Sequence, residues 1–281
     1  LICINQKWRQ DVEKFIPEIR FQQKYGFNEF IILLEGEDDF VAESAKKLND
    51  LGIKFILWTK ALTKGVEHKN GTWFRTDYDP KPLMEKLNLP GVIAIMPWDE
   101  PEISGLKSED CAWTMEKVNA AKMYQPTAIN YTVIGIPARY ANLDADIIGI
   151  DDYVTNNDKR DAESVLAYVR RVMDTCRAER KVGYFFTAGE VYGNHYRCPT
   201  YQEQIALNYG SLVAGITGLE FFYALPINPG NWRGMVQIAR EFAILTPVVC
   251  SVEDAAEAQI SDSAVKFTTR RLNGKFYVIA V

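Results

Sequence analysis

Apolar positions along this chain fall into short unbroken runs, separated by longer stretches with a 3.6-residue period. The runs read as strands at 1–5 (LICIN), 29–34 (EFIILL), 53–58 (IKFILW), 91–96 (GVIAIM), 127–133 (TAINYTV), 145–150 (ADIIGI), 182–187 (VGYFFT) and 217–223 (TGLEFFY). A strand apolar on both faces belongs to a parallel sheet covered on both sides. Between the runs, Val41, Ala45 and Leu48 share one helical face. Val165, Val169, Val172 and Cys176 share a second, and Met235, Ile238, Phe242 and Leu245 a third. The segment Leu83 to Leu87 is short, and the connection around Ile134–Leu143 is too short and too rich in Pro and Gly for a full helix. Eight strand–helix units in about 250 residues predict an α/β fold of the (β/α)8 TIM-barrel kind. An open doubly wound sheet is the alternative. Its dinucleotide-binding form needs a Gly-rich turn after strand one, where this chain has Asn5-Gln6-Lys7-Trp8.

The texture changes after Pro247. Ala264 to Arg270, then Asn273-Gly274, then Phe276 to Ile279 predict a β-hairpin on an Asn-Gly turn. Residues 1–251 are therefore expected to form the barrel and 252–281 the beginning of a small C-terminal β domain, cut short. The chain opens at Leu1, without Met and without a basic-plus-apolar leader, already in a strand-like run. It reads as a fragment that begins inside the fold, any signal peptide being absent.

Composition narrows the chemistry. Hydrophobic residues make up 47% of the chain, enough for a sizeable core. With 32 basic and 37 acidic side chains the net charge is −5, which argues against nucleic acid and anionic membranes as partners. No apolar run is long enough to span a bilayer. Cys3, Cys111, Cys176, Cys198 and Cys250 are scattered, with no Cys-x-x-Cys pair, so buried free thiols are expected rather than a zinc site or a disulfide framework. Nothing in the pattern specifies an oligomeric state.

In such barrels the working residues lie at the C-terminal ends of the strands. Those ends carry Asn5, Gln6 and Trp8; Glu35, Glu37, Asp38 and Asp39; Trp58; Trp98, Asp99 and Glu100; Asn130 and Tyr131; Asp151, Asp152 and Tyr153; Glu190 and Tyr192; and Tyr223, with Trp232 in the loop beyond. Carboxylates and aromatics predominate. Aromatic faces stack on the C–H faces of sugars, carboxylates and amides bond hydroxyls, and two facing carboxylates can cleave a glycosidic bond. Each aromatic could equally close the top of the barrel. Glu100 follows a buried run, where partial burial can raise a carboxyl pKa for acid/base work, or it could cap the next helix. Asp151 and Asp152 could bind a substrate hydroxyl, orient Glu190, or pair with a barrel cation. The acidic run from Glu35 to Asp39 lacks calcium-loop spacing and reads as a solvated helix start. Of the two histidines, His68 is expected in an exposed polar loop and His195 near the strand-seven end. Two isolated histidines argue against a metal centre. Gly-rich phosphate loops and the Gly-x-Ser-x-Gly elbow are missing.

The placement of these residues resembles clan A glycoside hydrolases over roughly residues 1–250. That family has Asn-Glu-Pro after strand four, where this chain has Asp99-Glu100-Pro101. It often has Thr-Glu on strand seven, where this chain has Thr187-Ala188-Gly189-Glu190, two residues longer. Arg197-Cys198-Pro199-Thr200 and the run Gly215 to Phe222 are similar to uncharacterised barrels of this kind. The resemblance implies Glu100 as acid/base and Glu190 as nucleophile of a retaining hydrolase of oligo- or polysaccharides. Trp58, Trp98, Asp99, Asn130, Tyr131, Asp151, Asp152, Tyr153, Tyr192, His195 and Trp232 would bind the substrate. It implies a carbohydrate partner, neither cofactor nor metal, and a secreted or periplasmic setting. The departure at Asp99 adds a charge that would raise the pKa of Glu100.

Two other classes compete. A sugar-binding barrel without catalysis is compatible with Asp99 and with the longer strand-seven motif. A cofactor-free lyase or aldolase would need a lysine inside the barrel, and Lys54 is the sole strand lysine near the middle of a run.

Overall fold

The computed structural model describes residues 2–4, 11–69, 72–132, 144–154, 161–178, 182–188, 197–222, 226, 228–255 and 257–281, with backbone alone for 2–4, 129–132, 177–178 and 184–188. Two compact units emerge, one comprising Ile2–Gln23 and Asn28–Asp151, the other Lys24–Phe27 and Asp152–Val281.

In the first unit the chain runs β1 (Ile2–Ile4), a 3-10 turn at Val12–Lys14, α1 (Ile16–Gln23), β2 (Glu29–Leu33), α2 (Asp38–Asp50), β3 (Lys54–Trp58), a hairpin of β4 (Val66–Lys69) and β5 (Thr72–Arg75), α3 (Lys81–Lys86), β6 (Val92–Asp99), α4 (Ser108–Ala121), β7 (Thr127–Thr132) and β8 (Ile147–Asp151). The hairpin apart, the strands form a parallel sheet in the order β1-β2-β3-β6-β7-β8. Phe30, Phe55 and Val92 stand side by side on adjacent strands, and all three are buried. Helix α2 covers the sheet with the Val41, Ala45 and Leu48 face that its period predicts. Being parallel, the strands bring Leu33, Trp58, Asp99, Thr132 and Asp151 to one edge.

Two expectations are corrected here and a third, the solvated helix start, gains detail. The fourth barrel strand does not stop at Met96 but runs through Pro97 to Asp99. Its pairing with β7 slips between Ile95 and Trp98. Proline has no N–H to give a ladder, and the irregularity absorbs it without ending the strand. His68 lies on strand β4 rather than in a loop, although it is exposed as expected. The acidic run is ion-paired: Lys60 meets Glu35, Lys64 meets Glu37 and Asp38, and Lys86 meets Asp39, at 2.7–3.1 Å. Asp38 and Asp39 also begin α2, where the helix dipole favours negative charge. The connection at 134–143 lies outside the described residues.

The second unit runs α5 (Ala162–Ala178), β9 (Val182–Ala188), α6 (Tyr201–Ala214), β10 (Gly218–Phe222), α7 (Pro229–Val249) and the antiparallel pair β11 (Phe267–Leu272) and β12 (Lys275–Ala280). β9 and β10 pair in parallel. The predicted face of α5 is buried at Val165, Val169, Val172 and Cys176. A capping box opens α6: the Thr200 hydroxyl accepts from the Glu203 N–H, and the Glu203 carboxylate accepts from the Thr200 N–H. The Arg197 guanidinium forks onto the same carboxylate at 2.6 and 2.5 Å and, as the leading cause, holds its pKa down to about 2. Asn273 and Gly274 both take positive φ, 51° and 74°, as the expected Asn-Gly turn requires. The hairpin packs through Ile279 against Leu212 and Val249, with Phe242 and Leu245 alongside.

Candidate active site

Strand β6 positions the central residue. Gly91 starts this stretch because a Cβ there would stand 2.6 Å from the Ile53 carbonyl oxygen. Eight residues later the strand ends on Trp98 and Asp99, and the chain turns sharply at Glu100, whose φ is 48°. Left-handed backbone is costly for a glutamate. The turn that holds it is tightly bonded. The Glu100 carbonyl accepts from the N–H groups of Ile103 (3.1 Å) and Ser104 (3.2 Å), and the Pro101 carbonyl from that of Leu106 (3.2 Å). Pro101 and Leu106 are buried, so the turn is anchored in the fold.

Glu100 is partly buried. Burial first, then the charges of Asp99 and Glu102, push its carboxyl up to about 7. A carboxyl poised there is protonated at mildly acidic pH and can give up its proton near neutrality, which suits a general acid that later acts as a base. Asp99→Asn removes one of these charges while leaving the burial. The Glu100 titration is therefore expected to move to lower pH yet stay above the ordinary carboxylate range. NMR of a carboxyl-labelled protein checks this, and an unmoved titration would mean that burial and Glu102 set the value without Asp99.

Beside Glu100 lies a cavity of about 470 Å³ in the first unit, lined by Trp58, Trp73, Trp98, Lys60, Asp99 and Glu100 among others. Trp58 ends β3 in register with Met96 of β6. The Trp98 indole is 8% exposed, and its Nε1–H has no hydrogen-bond acceptor among the described residues.

The sequence-predicted residues divide as follows. Trp58, Trp98, Asp99 and Glu100 come together around this cavity. Asn130 stands in register with Asp99, on the same row as Gly149. Tyr131, one place along β7, is paired with Ile150. Asp151 closes β8, half-buried. In the second unit Asp152 is buried and Tyr153 stacks obliquely on Phe222 with centroids 5.9 Å apart. Trp232 does not sit in a loop: it belongs to the first turn of α7, with its ring 5.3 Å from Tyr25 and 5.5 Å from Phe27. The Asn228 side chain caps that helix by accepting from the Gly230 and Asn231 N–H groups, which brings Trp232 into it. Glu190, Tyr192 and His195 lie outside the described residues. The sequence reading passed over Trp73, where the dipeptide Asn70-Gly71 was the one local signal of a turn. It also passed over Glu220, a glutamate with no exposed surface in the middle of β10, visible as one acid inside an apolar run. No group of three or more metal-ligating side chains occurs among the described residues.

No protein-family profile and no curated protein sequence matches the chain. Solved structures do. A GH113 β-mannanase from Alicyclobacillus acidocaldarius in complex with ManMIm matches over 87% of this chain and 96% of its own, with TM-score 0.54 and 12% identity. The β-galactosidase of the psychrophilic Marinomonas ef1 matches over 87% of this chain and 59% of its own, with TM-score 0.56 and 10% identity. Pseudomonas stutzeri endoglucanase Cel5A matches over 85% and 87%, with TM-score 0.51 and 10% identity. The fold is a (β/α)8 barrel. That is the fold expected from the strand–helix pattern and from the clan A resemblance. It places β6 as the fourth barrel strand, the hairpin of β4 and β5 being an insertion after the third.

Proposed function

We propose that this barrel is a glycoside hydrolase acting on an oligo- or polysaccharide, with Glu100 as general acid and then base. One observation carries this: a partly buried carboxyl raised to about 7 at the end of the fourth barrel strand, on the wall of a cavity that also presents three indoles. The solved structures of similar fold, titled as a mannanase, a galactosidase and an endoglucanase, support the same chemistry. Glu100 would protonate the leaving oxygen, and its conjugate base would then activate water. Asp99 at the end of β6 and Asn130, paired with it on β7, suit hydroxyl binding, and Trp58 and Trp98 suit the apolar face of the ring.

For the second carboxylate we propose Glu190 as nucleophile, with Asp151 and Asp152 bonding substrate hydroxyls. A retaining mechanism then requires carboxyl groups about 5–5.5 Å apart, against roughly 6.5–9.5 Å for inversion. The test is NMR of the first product formed from mannan, cellulose and galactan oligosaccharides. A retained anomer, with turnover abolished in Glu190→Gln, is the expected result. An inverted anomer overturns the nucleophile, turnover surviving in Glu190→Gln moves it to Asp151 or Asp152, and measurable binding without any turnover favours a sugar-binding barrel.

A further inference from the structure

The hairpin of β4 and β5 adds almost nothing to the core, yet it is firmly clamped. Of β4 only Val66 is buried, and all of β5 is exposed except Trp73, which is partly covered. Isolated two-stranded hairpins are marginal in water, so something else must hold this one. Arg75 Nε donates to Asp110 Oδ1 at 2.9 Å and its Nη2 to the Glu109 carbonyl at 3.1 Å, tying the end of β5 to α4. The Lys117 ammonium sits 4.1 Å from the centre of the Trp113 ring and the Arg75 guanidinium 5.5 Å from it. Gly65, at the root of β4, lies so close to Trp113 that a Cβ would stand 2.6 Å from the indole. Thr76 closes the root: its N–H donates to the Gly65 carbonyl and its hydroxyl to the Lys64 carbonyl, both at 2.8 Å.

What this clamp presents is Trp73. Its indole lines the same cavity as Glu100, and His68, paired with it across the hairpin, stacks against it at 4.8 Å between ring centroids. A ring backed by a second ring on an anchored arm loses little freedom when a ligand stacks on it.

We propose that Trp73 is a stacking platform for a sugar unit of an extended glycan chain, away from the scissile bond, and that the β4–β5 hairpin is an arm giving the barrel a preference for longer chains. The proposal deepens the hydrolase reading and rests on it for the identity of the ligand as a carbohydrate. A sugar held at Trp73 and one held beside Trp58 and Trp98 would belong to one chain, so affinity should rise with the number of units.

The test is calorimetric titration of β-1,4-linked mannose and glucose oligomers, from disaccharide to hexasaccharide, into the wild type, Trp73→Ala and Trp73→Phe, each in the Glu100→Gln background so that nothing is consumed. Hexasaccharide affinity is expected to fall roughly tenfold in Trp73→Ala, the size of losing one aromatic anchor, with a smaller loss on the disaccharide. Trp73→Phe should recover most of it, which loosening of the hairpin alone would not predict. Equal hexasaccharide affinity in Trp73→Ala, a loss independent of chain length, or no binding of any oligomer overturns the platform. Chain-length-dependent binding through Trp73 in a protein whose unmutated form hydrolyses none of these oligomers keeps the platform and overturns the hydrolase.

Discussion

Glu100→Gln is expected to lower kcat on an unactivated oligosaccharide by about 10²–10⁴-fold, the usual contribution of a positioned acid/base group. Glutamine keeps the shape and the left-handed turn but has no proton to give. The loss should shrink on aryl glycosides whose leaving groups depart without protonation, and this contrast separates a general acid from a residue that merely shapes the cavity. The pH profile gives a second reading. With Glu100 as the general acid its protonated form is the competent one, so the wild-type rate should fall as pH rises through about 7, to which its carboxyl is raised. In Glu100→Gln that alkaline limb should disappear. Steady-state kinetics on both substrate types from pH 4 to 9 would decide the matter. Equal losses on both, with the alkaline limb intact, would remove Glu100 from the acid role.

Phe55→Ala is expected to cost about 3–5 kcal/mol of stability, the range for truncating a fully buried phenylalanine. Phe55 has no exposed surface and stands between Phe30 of β2 and Val92 of β6. Its main-chain N–H also donates to the Gly91 carbonyl at 2.8 Å, just where β6 begins. The cavity left behind would open at the seam between the strand ending in Trp58 and the strand ending in Asp99, just before Glu100. Urea denaturation should show a lowered midpoint with an unchanged slope. A cost below 1 kcal/mol would mean that the layer collapses around the alanine.

Much of the barrel could be read from residues alone because β2, β3, β6, β8 and β10 are buried on both faces and helices such as α2 and α5 on one. Val165, Val169, Val172 and Cys176 show the point, since a continuous apolar face has few other uses. Strand boundaries were less legible. Pro97 reads as a stop, and only the pairing partner reveals that the ladder slips around it and continues to Asp99. The β4–β5 hairpin was hidden for a different reason. Its positions are mostly polar and exposed, so hydrophobic periodicity is silent there, and the clamp that holds it is built from Arg75, Asp110, Lys117 and Trp113, which are up to forty-odd residues apart in the chain. Glu100 was legible from its place after an apolar run. Its raised pKa could be anticipated in direction, from the buried run before it and from Asp99 beside it, but not in extent, because the degree of burial depends on the turn from Pro101 to Leu106.

That turn has an evolutionary side. A glutamate with φ 48° occupies a site where glycine would sit at ease, at a cost of roughly 1–2 kcal/mol. Drift toward a sturdier protein would therefore favour losing the acid, and only selection on what the side chain does could keep it there. Position 100 is a place where durability and usefulness pull the sequence in opposite directions, and where a barrel of this type that had given up its chemistry would be expected to change early.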